Sequence, residues 1–418
     1  MRMEPVTAVV LGAGARGRVY ADYAKAHPEE IRIVAVAEPK ADRLARFARD
    51  YGVPEAACYT DWAELLAQPK LADAALICTM DHLHYAPCME AIRQGYQILL
   101  EKPMSPSAAE CAAMQRAAEE KGVVLAVCHV LRYTPFFSKI KQLIEDGTVG
   151  EVQVIEQTEH VCYWHQAHSF VRGNWRRKDE SAPMILAKCC HDLDLLSWMA
   201  GAACKSLSSY GGLAHFTAEH APAGAPARCL DGCPASGSCP YYAPKLYLTE
   251  NTDWPTDTIS VDMSLEARAE ALRTGPYGRC VYRCDNDVVD HQVVAMEFEN
   301  GIAATLTMTA FTPRLTRTVR VMGTKGMIEG DLESCAVSFQ PFGGEAQTFS
   351  AEVLGANAYG HGGGDVGLMH DFVLQVRGGG EGRTSAKQSL ESHLMAFAAE
   401  EARVSGRAVE LAAFERSL

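Results

Sequence analysis

The chain has 418 residues, and because one hydrophobic core stops growing at about 250–300 residues, two domains are the default expectation. Apolar residues at 48% and charged residues at 22% give ordinary globular composition and exclude wholesale disorder. The formal charge of −13, from 39 basic and 52 acidic residues, repels polyanions and so excludes nucleic acid and anionic membrane surfaces as general partners.

Met1 to Thr7 runs directly into a strand, without the apolar stretch and small-residue cleavage site of a secretory signal. No apolar run is long enough to span a bilayer. The 15 cysteines cannot all pair within one chain, and with no signal they predict free thiols or metal ligands in a reducing, cytoplasmic setting.

From residue 6 to about 130, aliphatic runs at 6–11, 31–36, 74–78, 97–100 and 123–127 alternate with helical stretches such as 106–120. This βαβα order predicts a doubly wound parallel sheet, a Rossmann domain over residues 1–130. Beyond it, apolar and polar residues alternate along 151–157 and 302–308. That texture predicts a second, α+β domain over 131–418 with a large, mostly antiparallel open sheet. The Ala-, Pro- and Gly-rich stretch 218–228 leads into a cysteine-rich insertion near 218–285, and 385–403 has the periodicity of a helix that closes the fold.

Gly12-Ala13-Gly14-Ala15-Arg16-Gly17 follows the first strand and opens a helix. In a G-x-G-x-x-G loop the first glycine makes the turn, the second lets backbone approach a pyrophosphate, and the third lets helix pack on strand. Glu38 ends the second strand about twenty residues on, where a carboxylate accepts from the ribose hydroxyls. It also repels a ribose phosphate, so NAD is favoured over NADP, although Lys40 and Arg43 nearby keep NADP open.

Glu101-Lys102-Pro103 directly after the strand at 97–100, together with the glycine loop and His191-Asp192-Leu193-Asp194, resembles the Gfo/Idh/MocA oxidoreductase family. Asp81-His82-Leu83-His84 after Cys78-Thr79, Arg132-Tyr133-Thr134-Pro135, and the run from Gly147 to Val152 agree, so the resemblance spans essentially the whole chain. It implies that Lys102 lies beside the nicotinamide and that His191 contacts the reacting hydroxyl. It also implies that Thr79, His84 and Glu101 line the cofactor site, and that the chain forms a dimer or tetramer through the second sheet. Alcohol oxidation needs one group to polarise the hydroxyl and one to take its proton, and lysine and histidine suit those tasks. One position departs from the pattern. Family members that oxidise cyclitols often carry an aspartate four residues before the histidine, and here Ala187 stands there, followed by Lys188. Lys188 and Asp194 each lie three residues from His191 and share its helical face. Lys188 is therefore expected as a second cleft group, and Asp194 to meet substrate hydroxyls or orient the histidine.

The run 160–177 is rich in aromatic and basic groups, among them Tyr163, Trp164, His165, Arg172, Trp175 and Arg176. Aromatic faces stack on sugar rings, while Arg and His supply directional hydrogen bonds, so the run predicts a substrate wall. Arg172, Arg176 and Arg177 alternatively suit an acidic sugar. Asp285-Asn286-Asp287 and Asp290-His291 form a further polar stretch, with His291 as an added candidate for the cleft.

Cys229, Cys233 and Cys239 fall within eleven residues, and Cys280 would complete a four-thiolate site, with Cys284 in reserve. Four soft ligands suit a structural zinc ion. The leading expectation is hydride transfer between NAD and a secondary hydroxyl of a sugar, cyclitol or glycoside. Two others remain: a redox-neutral glycoside hydrolase that oxidises, eliminates, hydrates and re-reduces with bound NAD, and a sensor that binds dinucleotide and sugar without chemistry.

Overall fold

The computed structural model describes residues 4–354, 361–380 and 382–418; Met1 to Met3 of the N-terminal stretch lie outside them. Six strands form the first sheet: β1 (Val6–Leu11), β2 (Ile31–Ala37), β3 (Cys58–Tyr59), β4 (Ala74–Ile77), β5 (Gln97–Leu100) and β6 (Leu125–Val127). They are all parallel, in the order β3-β2-β1-β4-β5-β6. The strand order reverses beside β1, and the crevice at the carboxyl ends of β1 and β4 is where such sheets take ligands. The two-residue β3 is too short to show in the hydrophobic pattern.

The second sheet has nine strands: β7 (Val152–His160), β8 (Cys204–Gly212), β9 (His291–Phe298), β10 (Ala303–Thr309), β11 (Thr316–Gly323), β12 (Gly326–Asp331), β13 (Ala336–Pro341), β14 (Gln347–Phe349) and β15 (Val409–Glu410). Their order is β14-β13-β12-β11-β7-β10-β9-β8-β15, antiparallel except where β7 pairs with β10. One face of this sheet packs on the helices Cys190–Ala200 and Ala386–Ser405. The latter is started by a capping box on Ser385 and Gln388, two orphan backbone donors satisfied reciprocally. It does not end the chain, because the next residues return as β15 against β8. No helix among the described residues is long and apolar enough to cross a membrane.

The two sheets are joined by buried charge. Arg132 grips Asp194 through both its Nε and Nη2 at 2.7 Å, and its Nη1 donates to the Arg383 carbonyl at 3.0 Å. Asp194, expected to touch substrate or orient His191, is therefore occupied in holding the segment after β6 to the helix Cys190–Ala200. Removing one partner of a buried bidentate pair strands the other charge, at a cost of about 3–5 kcal/mol. Arg132→Met should lower the urea midpoint by a corresponding amount, and an unchanged midpoint would mean that Asp194 is satisfied some other way.

Candidate active site

The glycine loop has the shape of an anion cradle. Gly12 sits at φ +100°, and a Cβ there would strike the Cys78 carbonyl at 2.5 Å, while one on Gly17 would overlap the Gly12 carbonyl. A Cβ on Gly14 would meet nothing within 4 Å, so the space above the loop is open. The following helix, Ala15–Ala26, has no acidic side chain in its first turn and no side-chain cap, leaving its N–H groups directed at that space. Glu38 lies just past β2, where its two oxygens accept from the backbone N–H of Ala13 and Lys40 at 2.9 and 3.1 Å. These residues fit a dinucleotide: an open phosphate cradle, with a buried carboxylate fixed against it at the ribose position.

Arg16 does not point into the cradle. Its guanidinium meets Glu101 at 2.6 Å, Tyr20 at 2.6 Å and Asp365 of the second domain at 2.5 Å. Burial pushes the Glu101 carboxyl up, but Arg16, Tyr20 and Lys102 outweigh it and hold the group below its ordinary value. The His84 ring nitrogens lie 2.8 Å from the Pro103 carbonyl and 3.1 Å from the Thr79 carbonyl, tying the Glu101-Lys102-Pro103 turn to the end of β4. Glu101 and His84 are thus positioning residues, and Thr79 contributes its carbonyl to them.

That turn aims Lys102 across the cleft, where its Nζ donates to the Ala187 carbonyl at 2.8 Å. His191, one residue into the helix Cys190–Ala200, is buried, and its Nδ1 has no hydrogen-bond partner among the described residues. Burial first, then the charge of Lys102 and the neighbouring His129, holds its pKa well below 6.5. At neutral pH it is an imidazole able to take a proton. His129 meets its ring edge-on at 5.4 Å, and His393 lies 5.7 Å beyond, its tautomer fixed by the Met104 N–H it accepts and the Ser389 carbonyl it donates to.

Lys188 pairs with Glu159 of β7 at 3.3 Å, and Arg317 of β11 pairs with Glu159 at 2.6 Å and with Asp192 at 2.8 Å. Gln157 also donates to Asp192, at 2.6 Å. Lys188 is thus paired with a carboxylate that comes from another strand. Sequence reasoning missed this network, yet a signal existed: on β7 the buried parity runs Ile155, Gln157, Glu159, polar where alternation would place apolar residues.

The run 160–177 divides. Tyr163 and Trp164 line a cavity of about 380 Å³ together with Tyr241, Lys245, Asn251 and Trp254 of the insertion, a volume in the small-molecule range. His165 lies behind this cavity: its ring meets Trp254 edge-on at 5.0 Å, and burial, then the charge of Lys188, His168, Arg317 and Lys102, holds its pKa well below 6.5. The other members serve elsewhere. Trp175 donates to Asp81 of the first domain at 2.9 Å, a clasp between domains. Arg176 pairs with Asp285 and Glu180 at the surface, and Arg177 with Asp179, so neither is free for an acidic sugar. Asp285 and Asp287 hold the segment 176–178 rather than reach the cleft. His291 is bonded to Asp290 and packs near Phe311 at the insertion's side of the sheet. Arg172 is 1% exposed, its guanidinium donating to the Arg279 and Tyr241 carbonyls at 2.7 Å each. The insertion also reaches back to the cofactor helix through an Asp257–Arg18 pair at 2.8 Å.

The four candidate metal ligands Cys229, Cys233, Cys239 and Cys280 line one small cavity, whereas Cys284 turns away to the Cys280 carbonyl. No three of their sulfurs lie mutually within 4.8 Å. Zn–S bonds of about 2.3 Å place tetrahedral sulfurs about 3.8 Å apart. Among the described residues, only His27, Glu29 and Glu30 form a set of three or more metal-binding groups with ligand atoms mutually within 4.8 Å.

Two family models match the chain: an oxidoreductase family, NAD-binding Rossmann fold, over residues 6–129, and the C-terminal alpha/beta domain of the same family over 141–411. The oxidoreductase YteT of Bacillus subtilis is 25% identical over 319 residues, 72% of each chain. A 2,7-anhydro-N-acetylneuraminate hydratase of Mediterraneibacter gnavus is 26% identical over 210 residues, 50% of this chain and 53% of the relative. Several further curated relatives are likewise matched over about half their length. The WlbA dehydrogenase of Chromobacterium violaceum, solved with NADH and UDP-GlcNAcA, superposes with a TM-score of 0.69 at 16% identity, covering 98% of this chain and 97% of that one, so it shares the fold.

Five buried histidines, at 129, 165, 168, 191 and 393, have pKa values held below 6.5, with His168 and His393 pushed down to about 3. The unfolded chain binds protons at these sites at higher pH than the folded one, so stability is greatest above about pH 6.5 and is lost as pH falls below it, by up to about 1.4 kcal/mol per unit for each site. The thermal midpoint should fall steadily between about pH 6.5 and 5. A flat midpoint across that range would show that these rings are protonated in the fold.

Proposed function

The chain belongs to the Gfo/Idh/MocA oxidoreductase family, and we propose that it moves hydride between NAD and a secondary hydroxyl of a sugar, cyclitol or glycoside. The observation that carries this reading is Lys102, whose ammonium bonds the Ala187 carbonyl at 2.8 Å and lies close enough to buried His191 for its charge to add to burial in keeping that imidazole neutral. Gly12, Gly14, Ala15 and Gly17 would hold the pyrophosphate and Glu38 the ribose, and the nicotinamide supplies the hydride acceptor.

The rest is work for the chain's own groups. Lys102 points its ammonium at the place where an alkoxide develops, and charge placed there in advance stabilises the transition state without reorganising. His191, kept neutral by the same cation and by burial, takes the hydroxyl proton on its imidazole. Trp164 and Trp254, 5.3 Å apart, offer apolar faces to a ring, while Lys188 and His165 set its hydroxyls. Glu38 supports NAD over NADP because a carboxylate fixed at the ribose repels a phosphate there.

His191→Ala should lower kcat by about 10²–10⁴-fold and leave NAD affinity unchanged. The assay follows NADH absorbance over a panel of sugars and aryl glycosides, with released aglycone read in the same wells. NADH in step with substrate consumed supports the proposal. Aglycone with no net NADH would replace it by the redox-neutral hydrolase, the outcome to which the hydratase relative lends weight. Silence in both channels, with sugar bound equally by the variant, would favour a sensor.

A further inference from the structure

The cavity that Tyr163 and Trp164 share with the insertion has an electrostatic sense opposite to that of the whole chain. The chain carries a formal charge of −13, yet no carboxylate lines this space of about 380 Å³, while Arg172 and Lys245 do. Arg172 is 1% exposed and permanently charged, and its guanidinium meets the Arg279 and Tyr241 carbonyls and the Cys229 sulfur rather than an acid. A second buried guanidinium, Arg268, donates to three carbonyls, among them that of Asn251 in the cavity wall, and has no carboxylate partner among the described residues. Nearer the catalytic residues the buried arginines are matched: Arg16 by Glu101 and Asp365, Arg132 by Asp194, and Arg317 by Asp192 and Glu159. A buried charge without a counter-charge is costly, and a ligand that brings one offsets that cost.

Hydrogen-bonding capacity points the same way. Lys245 Nζ donates to the Gly237 and Cys239 carbonyls at 2.7 and 3.2 Å, and an ammonium has a third proton to give. The Trp164 and Trp254 indoles are donors only, and the Asn251 amide oxygen already accepts the Asp253 N–H at 3.0 Å. That leaves chiefly the hydroxyls of Tyr163 and Tyr241 as side-chain acceptors. A neutral sugar brings a proton on every hydroxyl and needs acceptors to match, whereas a carboxylate only accepts. A donor-rich wall with aromatic faces therefore fits a ring that carries a carboxylate.

We propose that this cavity binds a sugar acid or its glycoside, with the ring on the faces of Trp164 and Trp254 and the carboxylate on Lys245 Nζ. Arg172 and Arg268 supply the buried positive charge that favours the anion. The proposal rests on the reading that the sugar substrate of hydride transfer enters here, and it names that substrate's class. Arg176 and Arg177, which the sequence also offers for an acidic sugar, are taken up by surface carboxylates, so the selection falls to Lys245 on the short helix Ala243–Tyr247 of the insertion.

Binding separates this proposal from the hydride-transfer reading, because it is measured without turnover. The full-length protein is saturated with NADH, which cannot accept hydride, and titrated in a calorimeter with phenyl β-glucuronide, phenyl β-glucoside and phenyl β-glucoside 6-phosphate. The first two differ only by a carboxylate in place of a hydroxymethyl group. A charge-assisted hydrogen bond predicts that the glucuronide binds about 10–100-fold tighter than the glucoside, with the difference shrinking as salt is added. Lys245→Met should lower glucuronide affinity about tenfold or more and leave glucoside affinity unchanged, and Lys245→Arg should restore it. Equal affinity for the two glycosides, binding of neither, or undiminished glucuronide affinity in Lys245→Met would each overturn the proposal. Tightest binding of the 6-phosphate would overturn it in favour of a phosphorylated sugar. Preferred binding of the glucuronide, in protein that forms no NADH from it when NAD is supplied, would count against hydride transfer and leave the acid site standing. Should Lys245→Met fail to fold, the three ligands on the unaltered chain still decide the question.

Discussion

The buried junction of Arg16, Glu101 and Asp365 is the constraint on which the active site depends. Arg16 leaves the cofactor helix, Glu101 ends the strand that delivers Lys102, and Asp365 comes from the second domain. One guanidinium bonded to both carboxylates fixes the glycine cradle, the turn that carries Lys102 and the second domain relative to one another. Tyr20 donates to Glu101 at 2.5 Å, so the carboxylate is held from three sides and has little freedom to follow Arg16 elsewhere. Geometry of this kind matters because hydride transfer tolerates small displacements poorly, and a shift of about 1 Å in a reacting group can cost about 10²-fold.

Charge in the cleft follows from the same arrangement. Lys102, Lys188 and Arg317 are cations within or beside the site, and each adds to the burial that keeps His165 neutral. Positive charge thus adds to burial in keeping the nearby imidazoles unprotonated, and under the proposed reaction it would also favour a developing alkoxide. Glu159 and Asp192 prevent this from becoming an uncompensated cluster. Burial raises the Asp192 carboxyl, Arg317 opposes that, and Glu159 on the same guanidinium raises it again. Lys188, next to Ala187, thereby has a carboxylate partner on β7.

Much of this was legible in the chain where function is local in sequence. The glycine loop, Glu38, the Glu101-Lys102-Pro103 turn and His191 each sit at the end of a regular element, so a strand or helix start fixes their direction. Residues whose roles come from distant partners were not legible. Asp194 shares a helical face with His191 but is claimed by Arg132, whereas Lys188 ends the preceding short helix Met184–Ala187, off the helix of His191, and is claimed by Glu159; neither partner is near in sequence. Aromatic and basic residues in 160–177 look alike as letters, yet Trp164 faces a cavity while Trp175 bonds Asp81 and Arg176 pairs at the surface. The π-helical turn over Gln166–Arg172 is one physical reason, because its wider winding rotates successive side chains away from the faces that ordinary helical spacing assigns.

That wider turn also explains why the insertion and the catalytic wall act as one body. It buries every residue from Gln166 to Arg172, so this segment has no solvent face and must be satisfied by what packs over it. The insertion provides those partners: Tyr247 bonds His168 at 2.8 Å, Tyr277 stacks on the same ring at 4.9 Å, and the carbonyls of Tyr241 and Arg279 receive Arg172. A buried helix turn carrying a glutamine, a histidine and an arginine cannot stand on its own, since each unsatisfied polar group would cost about 1–3 kcal/mol. Whatever orders residues 218–285 therefore also orders Tyr163, Trp164 and His165 immediately before the turn. The cavity wall formed by Tyr163 and Trp164 thus rests on the insertion through packing and hydrogen bonding.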